Sequence, residues 1–374
     1  MSRRKILILA NNDMGLYKFR KELLKQFLSE FEVHIAVPSG DFVNEMMQMG
    51  CKFHKIEMER RGKNLLKDLK LFLNYKKKIN EIKPDYILTY TIKPNIYGGI
   101  AARLAKIPYF VNITGLGSVF ESDNILKSVV LKMYYSSLKE AEIIFFQNVH
   151  NQKVINQSFS LKSRQELLPG SGINLHEYQP LDYPANDQEV RFLFIGRLMN
   201  DKGIRELVQA FVRLKNKFPH ARLTVIGFKE NNFNFSLFED SVKAGLIEYD
   251  GLQNDVRPYL EQCHAVINPS YHEGMSNVLL EACACQRPCL ASDIPGCCEI
   301  VSDYENGFLF NKADVDSLER AMTLFCEAPY EEKQQMAEKS RQHVEKNFDR
   351  NIIIEKYMNE LGGQKNERVI SRDC

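Results

Sequence analysis

The sequence predicts an α/β protein with two Rossmann-like domains, each a doubly wound parallel sheet. Short apolar runs alternate with helical segments in the first half of the chain, and the same alternation begins again near Arg191. The 374 residues suffice for two domains with complete cores. A content of 44% hydrophobic and 26% charged residues is typical of globular proteins.

In the first half, the strands are predicted from apolar runs that end at polar residues or glycine. These strands are 6–10, 33–37, 53–56, 85–89, 109–113 and 143–146, with helices predicted at 17–29 and 41–49. Another amphipathic segment runs from Leu65 to Leu73. The order of strands and helices indicates an open parallel sheet.

The second half repeats the pattern after a segment, 174–188, that has neither helical nor strand periodicity and is predicted to be a linker. The predicted strands are 191–196, 223–227, 246–249 and 265–270, and the helices are 203–217, one through Tyr259, 331–347 and 351–361. We therefore predict domains at 1–180 and 181–347. Residues 348–374 form a helix that returns to the N-terminal domain, followed by a loose polar tail from residue 362.

Charge is divided unequally along the chain, although the formal net charge is only +2. Residues 1–180 contain 27 basic and 17 acidic side chains, and residues 181–374 contain 23 and 31. Between Lys52 and Lys83, 11 basic residues accompany 4 acidic ones. A basic amphipathic helix there predicts contact with an anionic membrane surface, and an ordinary solvated helix face is the alternative. We expect no nucleic-acid partner.

Neither a membrane span nor a signal peptide is expected, because the chain lacks a run of about eighteen apolar residues. The predicted location is the cytoplasm, with peripheral association at the inner face of the cell membrane. Of the nine cysteines, five lie between Cys283 and Cys298 at spacings that match no zinc site. They are predicted to be buried thiols, and no metal is expected.

Two glutamates, Glu273 and Glu281, bracket the most informative stretch. An apolar strand ends at Pro269 before them, and a helix continues after them, so Glu273 is predicted in a loop and Glu281 about two turns into a helix. Between them, Ser276, Asn277 and Val278 would present backbone N–H groups at a helix N-terminus, which favours phosphate. A carboxylate beyond that turn can hold ribose hydroxyls. The pattern predicts a nucleotide site.

Two cations, Arg197 and Lys202, stand between a predicted strand and the next helix. Ligands of open parallel sheets bind at that edge, so both side chains are candidates to grip a diphosphate. A nicotinamide dehydrogenase is excluded, because the turn after the first strand lacks the Gly-x-Gly-x-x-Gly fingerprint.

Five motifs resemble the second domain of retaining GT-B glycosyltransferases of family 4: Gly196-Arg197, Asp201-Lys202-Gly203, the Glu273-x7-Glu281 stretch, Asp293-Ile294-Pro295-Gly296 and Asn306-Gly307. The resemblance spans nearly the whole chain and implies two Rossmann-like domains that face a central cleft. The N-terminal half resembles bacterial transferases that add a hexose or N-acetylhexosamine to a polyprenyl-diphosphate-linked sugar. Its motifs are Tyr17-x-Phe19-Arg20, Lys93-Pro94-Asn95-x-Tyr97-Gly98 and Thr114-Gly115-Leu116-Gly117-Ser118.

The resemblance implies that Arg197 and Lys202 bind the donor diphosphate, Glu281 the ribose and Glu273 the transferred sugar. The remaining donor-binding positions implied by the family act mainly through the backbone: Gly15, Gly196, Leu252, Met275, Ser276, Asn277 and Val278. Leu252 matches the position beside the nucleotide base. Ser276 and Asn277 depart from the family's glycine and apolar pair, which puts the sugar contacts there in question.

The implied reaction retains the anomeric configuration, and the departing diphosphate oxygen can take the acceptor proton. Asp13 is a candidate for a polar contact or proton acceptor near the acceptor hydroxyl, with a helix cap as the alternative. Candidate acceptor-binding residues are Tyr17, Lys93, Asn95, Thr114 and Gly115. For these, loop structure alone is the competing interpretation.

The sequence thus predicts a retaining, metal-independent transferase. It would move a hexose or N-acetylhexosamine from a UDP-sugar to a polyprenyl-diphosphate-linked sugar in bacterial glycan assembly. The same chemistry on a lipid-glycan core or a soluble acceptor, and a non-catalytic nucleotide-sugar-binding protein, are the alternatives. Asp314 and Asp316, at the spacing of a metal motif in other transferases, are predicted to be a helix cap and first turn.

Overall fold

A computed structural model of the chain describes residues 3–59, 64–116, 125–185, 189–230 and 233–370. The chain forms two compact units. Unit 1 comprises Met1–Ser171 and Asn351–Cys374, and unit 2 comprises Gly172–Arg350. Each unit is a parallel sheet with helices, which confirms the predicted fold class.

Seven parallel strands form the sheet of unit 1: β1 (Lys5–Leu9), β2 (Glu32–Val37), β3 (Lys52–Lys55), β4 (Tyr86–Tyr90), β5 (Tyr109–Ile113), β6 (Ile143–Phe146) and β7 (Arg164–Leu167). Their order across the sheet is β3-β2-β1-β4-β5-β6-β7, so the direction of winding reverses between β1 and β4. The helices are α1 (Asp13–Glu30), α2 (Val43–Gln48), α3 (Leu65–Ile82), α4 (Gly99–Leu104), α5 (Ile125–Leu138) and α6 (Val149–Ser158), with a π-helical turn at Pro94–Gly98.

β1 illustrates why continuous apolar runs become central strands. Ile6 and Ile8 pack in the core on one face of the sheet, and Leu7 and Leu9 pack in the core on the other. Because helices cover both faces of a doubly wound sheet, both sets of side chains must be apolar.

The C-terminal helix α13 (Arg350–Ile370) packs in unit 1 through Tyr357. The Tyr357 ring meets Phe27 edge-to-face at 6.2 Å and lies 4.7 Å from Phe145. Its hydroxyl donates a hydrogen bond to Asn112 Oδ1. The buried ring and its satisfied hydroxyl fix the helix against the sheet.

Six parallel strands form the sheet of unit 2: β8 (Arg191–Ile195), β9 (Arg222–Ile226), β10 (Glu248–Tyr249), β11 (Ala265–Asn268), β12 (Cys289–Ser292) and β13 (Gly307–Phe310). Their order is β10-β9-β8-β11-β12-β13, which reverses between β8 and β11. The helices are α7 (Ile204–Leu214), α8 (Ser236–Lys243), α9 (Arg257–Gln262), α10 (Asn277–Ala284), α11 (Val315–Glu327) and α12 (Tyr330–Asn347). No helix in the described ranges is both long and apolar enough to cross a bilayer.

Arg287 holds the segment before β8 against this sheet. Its guanidinium is fully buried and donates to the backbone oxygens of Leu260 (2.6 Å), Asp182 (2.7 Å) and Leu181 (3.2 Å). Burial lowers the pKa of this side chain. The buried cation is tolerated because carbonyl dipoles replace its water shell.

The units divide at residues that differ from the predicted limits. Ile173 N–H donates to Phe348 O at 2.8 Å, and Arg350 N–H donates to Ile173 O at 3.0 Å. Arg341 also donates to Tyr178 O at 2.7 Å. These bonds attach residues 172–180 to unit 2, so the division falls after Ser171 and Arg350 rather than after residues 180 and 347.

Three strands were missed by the sequence prediction. β7 is an edge strand with the sequence Arg-Gln-Glu-Leu, which lacks an apolar run. β12 and β13 are fully or mostly buried, but their four residues are too few to show a period. The predicted strand 246–249 is reduced to Glu248–Tyr249.

Two helices are longer than predicted. α1 begins at Asp13 rather than at residue 17, because the Asn12 side chain caps it by accepting a hydrogen bond from Gly15 N–H. α13 continues to Ile370, so the prediction of a loose segment from residue 362 is wrong as far as residue 370. The last four residues of that predicted tail lie outside the described ranges.

Most described cysteines are buried, as predicted. Cys283 and Cys289 lie in the core of unit 2 with their sulfur atoms 3.6 Å apart, and burial raises the pKa of Cys263 to about 12. Cys298 is exposed, contrary to that prediction, although its neighbour Cys297 is buried.

Candidate functional site

Three polar loops of unit 2 meet where the winding of its sheet reverses. Arg197 follows β8, Glu273 follows β11, and Glu230 follows β9 on the other side of β8. Parallel strands end at the same edge of a sheet, and ligands of such sheets bind where the strand order reverses. This edge of unit 2 is therefore the candidate site.

Lys202 and Glu273 form an ion pair at this edge. Lys202 Nζ donates to Glu273 Oε1 at 2.5 Å, and both side chains are about one-fifth exposed, at 24% and 17%. Ser270 Oγ lies 2.9 Å from the same carboxylate oxygen. The predicted cation after β8 and the predicted acid after β11 are thus brought together.

The pair depends on a close approach of two backbone segments. Gly203 has φ +64°, and a Cβ at that position would lie 2.0 Å from the carbonyl oxygen of Pro269. Beside it, Tyr271 N–H donates to Asp201 O at 2.9 Å. Only glycine permits both this φ and this contact, so the segment that carries Lys202 is held directly against the segment that carries Glu273.

Arg197 has a carboxylate partner that sequence reasoning missed. Its Nη1 donates to Glu230 Oε1 at 2.7 Å. The loops after β8 and β9 stay paired beyond the strands, since Leu198 N–H donates to Phe228 O at 3.0 Å and Glu230 N–H to Leu198 O at 3.3 Å. The sequence did contain a signal for this pair, because Arg197 lies two residues after β8 and Glu230 lies four residues after β9, the adjacent strand.

Ser276 caps α10 at the same edge. Its hydroxyl accepts hydrogen bonds from Leu279 N–H (3.4 Å) and from Asn268 Nδ2 (2.6 Å), and the side chain is 2% exposed. Met275 is also buried. The predicted ligand contacts of these two residues are therefore limited to backbone groups, whereas Asn277 and Val278 are partly exposed in the first turn.

Glu281 lies one turn into α10 rather than two, because the helix begins at Asn277 after its Ser276 cap. Its side chain is partly exposed and hydrogen-bonds the hydroxyl of Tyr178. Burial and this carboxylate raise the pKa of Tyr178 above its usual range. The second acid of the predicted pair is thus anchored by a residue of the segment before β8.

Leu252 lies on a loop beside the same edge and is 67% exposed. The preceding Gly251 accepts a hydrogen bond from Gly227 N–H at 2.7 Å, and Gly196 N–H donates to Ile226 O at 3.0 Å. These bonds link the loops after β8, β9 and β10, so the exposed Leu252 and the turn at Gly196 lie at the same edge of the sheet.

In unit 1, Asp13 does not cap α1. Asn12 does so, with Gly15 N–H donating to its Oδ1 at 2.5 Å. The Asp13 side chain is 8% exposed, and its Oδ2 accepts a hydrogen bond from Phe42 N–H at 2.8 Å. Asp13 therefore joins the loops after β1 and β2, on one side of the point between β1 and β4 where the winding of this sheet reverses.

The candidate acceptor residues of unit 1 divide into three environments. Asn95 is fully buried and bridges β4 and β5, accepting from Thr89 Oγ1 (2.8 Å) and donating to Asn112 O (2.8 Å). Both polar atoms of its side chain are used within the fold, so Asn95 fits the competing interpretation, in which the residue has a structural role. Lys93 instead pairs with Asp68 of α3 at 2.6 Å and stays partly exposed.

Tyr17, Thr114 and Gly115 lie in more open positions. The Tyr17 ring stacks on Phe42 at a centroid distance of 5.2 Å. Thr114 and Gly115 directly follow β5, and a Cβ at Gly115 would meet nothing within 4 Å. The rest of that motif, Gly117 and Ser118, lies outside the described residues.

The Asp-x-Asp stretch before α11 is a helix cap, as predicted. Asp314 Oδ1 accepts a hydrogen bond from Ser317 N–H at 2.9 Å, and Asp316 lies in the first turn. Its carboxylates therefore stabilise the helix N-terminus.

Known proteins resemble this chain in sequence. A family model for group 1 glycosyl transferases matches residues 179–343, and one for 4-like glycosyl transferases matches residues 5–148. The chain is 26% identical to the N,N'-diacetylbacillosaminyl-diphospho-undecaprenol alpha-1,3-N-acetylgalactosaminyltransferase of Campylobacter jejuni, over 95% of this chain and 97% of the relative. It is 27% identical to the UDP-Gal:alpha-D-GlcNAc-diphosphoundecaprenol alpha-1,3-galactosyltransferase of Escherichia coli, over 78% and 79%.

Solved structures show the same fold. The Anabaena protein Alr3699/HepE, in complex with UDP and glucose, superposes with a TM-score of 0.79 at 17% identity, over 96% of this chain and all of that one. A glycosyltransferase from Rickettsia africae gives a TM-score of 0.75 at 16% identity, over 96% and 99%. At these identities the likeness concerns the fold alone.

Replacing Gly203 by alanine is expected to destabilise unit 2 more than replacing Gly245, a matched control. The two have similar φ, +64° and +68°, but a Cβ at Gly245 would meet nothing within 4 Å. Alanine at either position is expected to lower the free energy of unfolding by about 1–2 kcal/mol, because it must adopt a left-handed backbone conformation. Gly203→Ala should lower the free energy of unfolding by about 1–3 kcal/mol more, because Pro269 must move to make room for the methyl group. Urea unfolding of both variants measures the difference, and equal losses would contradict the close approach.

Proposed function

Because the chain is a GT-B glycosyltransferase with a group 1 domain and a 4-like domain, we propose the following reaction for it. It transfers a hexose or N-acetylhexosamine from a UDP-sugar to a sugar carried on polyprenyl diphosphate, with retention of anomeric configuration. Unit 2 binds the donor, and unit 1 binds the acceptor.

The observation that carries this proposal is the convergence of Arg197, Lys202 and Glu273 at the reversal point of the unit 2 sheet. The planar guanidinium of Arg197 suits two phosphate oxygens at once, and Lys202 adds a compact positive charge. The Glu273 carboxylate accepts hydrogen bonds and therefore suits the hydroxyls of a sugar. The arrangement matches a ligand that is anionic at one end and polyhydroxylated at the other.

The nucleotide fits the remaining groups of this edge. The first turn of α10, at Asn277 and Val278, offers the positive end of a helix to phosphate, and the Glu281 carboxylate suits the ribose hydroxyls. Leu252 offers an exposed apolar surface and its backbone to the base. Uracil is the favoured base, because the Anabaena protein of the same fold was solved with UDP.

In the proposed reaction the bond between the sugar C1 and the diphosphate oxygen breaks, and a bond from C1 to the acceptor oxygen forms on the same face. Negative charge develops on the departing diphosphate, where Arg197 and Lys202 stabilise it. The proton of the acceptor hydroxyl passes to the departing oxygen. We assign the role of counter-charge to these two side chains and propose that no metal is required.

Asp13 remains a candidate contact for the acceptor hydroxyl, although one carboxylate oxygen is already held by Phe42 N–H. Lys93 is the stronger candidate for the acceptor diphosphate, because its ammonium is partly exposed and charged. Tyr17, Thr114 and Gly115 complete the proposed acceptor side. The support for a polyprenyl-linked acceptor is that the relatives from Campylobacter and E. coli are named for diphospho-undecaprenol substrates.

A surface of α3 supports association with the membrane that holds such an acceptor. Four leucines on it are more than half exposed: Leu65, Leu66, Leu69 and Leu73. At about 100° per residue they fall within one sector of the helix, separate from the sector of the buried residues Leu71, Tyr75 and Ile79. A purely solvated face would not need leucines there.

Lysines lie beside this leucine face at positions 70 and 77, and within it at position 76. Their long side chains can reach lipid phosphates while the leucines enter the region of the acyl chains. We therefore propose peripheral binding to the inner face of the cell membrane, through the leucine face of α3.

Glu273→Ala is expected to lower kcat/KM at least about 100-fold, because a contact made to the reacting sugar is lost. Glu305→Ala, an exposed acid of the same unit, is the control and should retain full rate. The assay offers a panel of UDP-sugars with a polyprenyl-diphosphate-linked N-acetylhexosamine, in the presence of EDTA. An α-linked product from an α-linked donor indicates retention.

Three outcomes of this assay would count against the proposal. Full activity of Glu273→Ala would refute the assigned site, and loss of activity in EDTA would refute metal independence. A faster transfer to soluble sugars or to a lipid-glycan core would favour the alternative acceptors.

Leu66→Ser combined with Leu69→Ser is expected to weaken binding to vesicles of phosphatidylglycerol and phosphatidylethanolamine at least about tenfold, because two apolar side chains no longer enter the lipid. Leu104→Ser, which alters a leucine that is 57% exposed on α4, is the control and should bind as the unaltered protein does. Co-sedimentation at low salt measures the binding. No binding of the unaltered protein, or equal binding of the double variant, would contradict the membrane proposal.

A further inference from the structure

Buried polar side chains form a hydrogen-bond network that ends at Glu273. Asn268, the last residue of β11, is 5% exposed, Ser270 is 1% exposed and Ser276 is 2% exposed. Asn268 Nδ2 donates to Ser276 Oγ at 2.6 Å, and Ser270 Oγ lies 2.6 Å from Asn268 Oδ1. This network therefore connects Ser276, the cap of α10, to Ser270, and Ser270 in turn contacts Glu273 at 2.9 Å.

Both contacts of the Glu273 carboxylate fall on one oxygen. Lys202 Nζ and Ser270 Oγ each approach Oε1, at 2.5 and 2.9 Å. Among the described residues, none donates a hydrogen bond to Oε2. The carboxylate is thus held by one oxygen, while the other remains available at an edge where 17% of the side chain is exposed.

Ser270 has one hydroxyl hydrogen and two acceptors within reach. It can donate to Glu273 Oε1 at 2.9 Å or to Asn268 Oδ1 at 2.6 Å, but not to both at once. Asn268 Oδ1 also receives Ser270 N–H at 3.3 Å, so it stays satisfied when the hydroxyl turns away. The Ser270 hydroxyl can therefore donate to Glu273 without leaving Asn268 Oδ1 unpaired.

We propose that Ser270 is a positioning residue that orients Glu273 for the sugar of the donor. This inference rests on the proposed function, in which Glu273 contacts the transferred sugar. Ser270 holds Oε1 both before and after the donor binds, so that Oε2 faces the sugar and the carboxylate is already oriented when the sugar arrives. It therefore sets the affinity for the sugar and leaves the affinity for the nucleotide unchanged.

A comparison of UDP with the UDP-sugar that supports turnover separates these two affinities. UDP lacks the sugar, and the backbone that meets its phosphates is held independently by the contacts of Ser276 to Asn268 and Leu279. Without the bond from Ser270, the Glu273 carboxylate must be ordered as the sugar binds, and the energy of one hydrogen bond, about 0.5–1.5 kcal/mol, corresponds to about 2–12-fold in affinity. We expect Ser270→Ala to weaken binding of the UDP-sugar by about 3–10-fold while its Kd for UDP changes less than about twofold.

Ser292→Ala is the matched control. Ser292 is also fully buried at the end of a neighbouring strand, β12, and its hydroxyl has no hydrogen-bond partner among the described residues. Both Kd values of this variant should equal those of the unaltered protein. Ser270→Cys keeps the side-chain size with a weak donor, and it should reproduce the selective loss if the alanine variant does not fold.

Titration calorimetry with UDP and with the UDP-sugar gives the decisive values, with Glu273→Ala as reference. If Glu273→Ala selectively weakens the UDP-sugar and the Ser270 variants do not, the positioning role is wrong and the proposed function stands. An equal loss for both ligands in the Ser270 variants would show a general structural role instead. If Glu273→Ala is itself unselective, the assigned role of Glu273 in the proposed function fails first.

Discussion

The close approach of Gly203 to the carbonyl oxygen of Pro269 is the constraint on which the polar edge of unit 2 depends. It joins the loop after β8 to the loop after β11, two neighbouring strands at which the winding of the sheet reverses. Lys202 and Glu273 meet because of it. The sheet alone would bring the two loops to one edge, and the glycine brings them into contact.

Each of the two cations at this edge has a carboxylate partner. Arg197 pairs with Glu230, and Lys202 pairs with Glu273. Partly exposed pairs of this kind contribute only about 0–1 kcal/mol each. A diphosphate offers charge-assisted hydrogen bonds of about 1.5–3 kcal/mol each, so it can displace the carboxylates from the cations. Both cations of the proposed anion site are thus paired before a donor binds.

The sequence was sufficient to predict the fold class and to place Arg197, Lys202 and Glu273 at one edge of the second sheet, because both follow from the order of strands and loops along the chain. Glu273 and Arg197 could be placed from the strand that precedes each of them. Glu230 could not, since its position depends on which strand lies beside β8, and Ser270 was predicted only as the last residue of a strand. Asn95 shows the reverse error: its motif suggested a ligand, whereas the fold uses its amide to join two strands.

The most direct test of the account is a crystal structure of the protein with the UDP-sugar that it uses. The account predicts diphosphate oxygens about 2.7–3.2 Å from the guanidinium of Arg197 and from Lys202 Nζ, with the ribose hydroxyls on Glu281. A diphosphate bound away from both cations, with the Arg197–Glu230 and Lys202–Glu273 pairs intact, would contradict it.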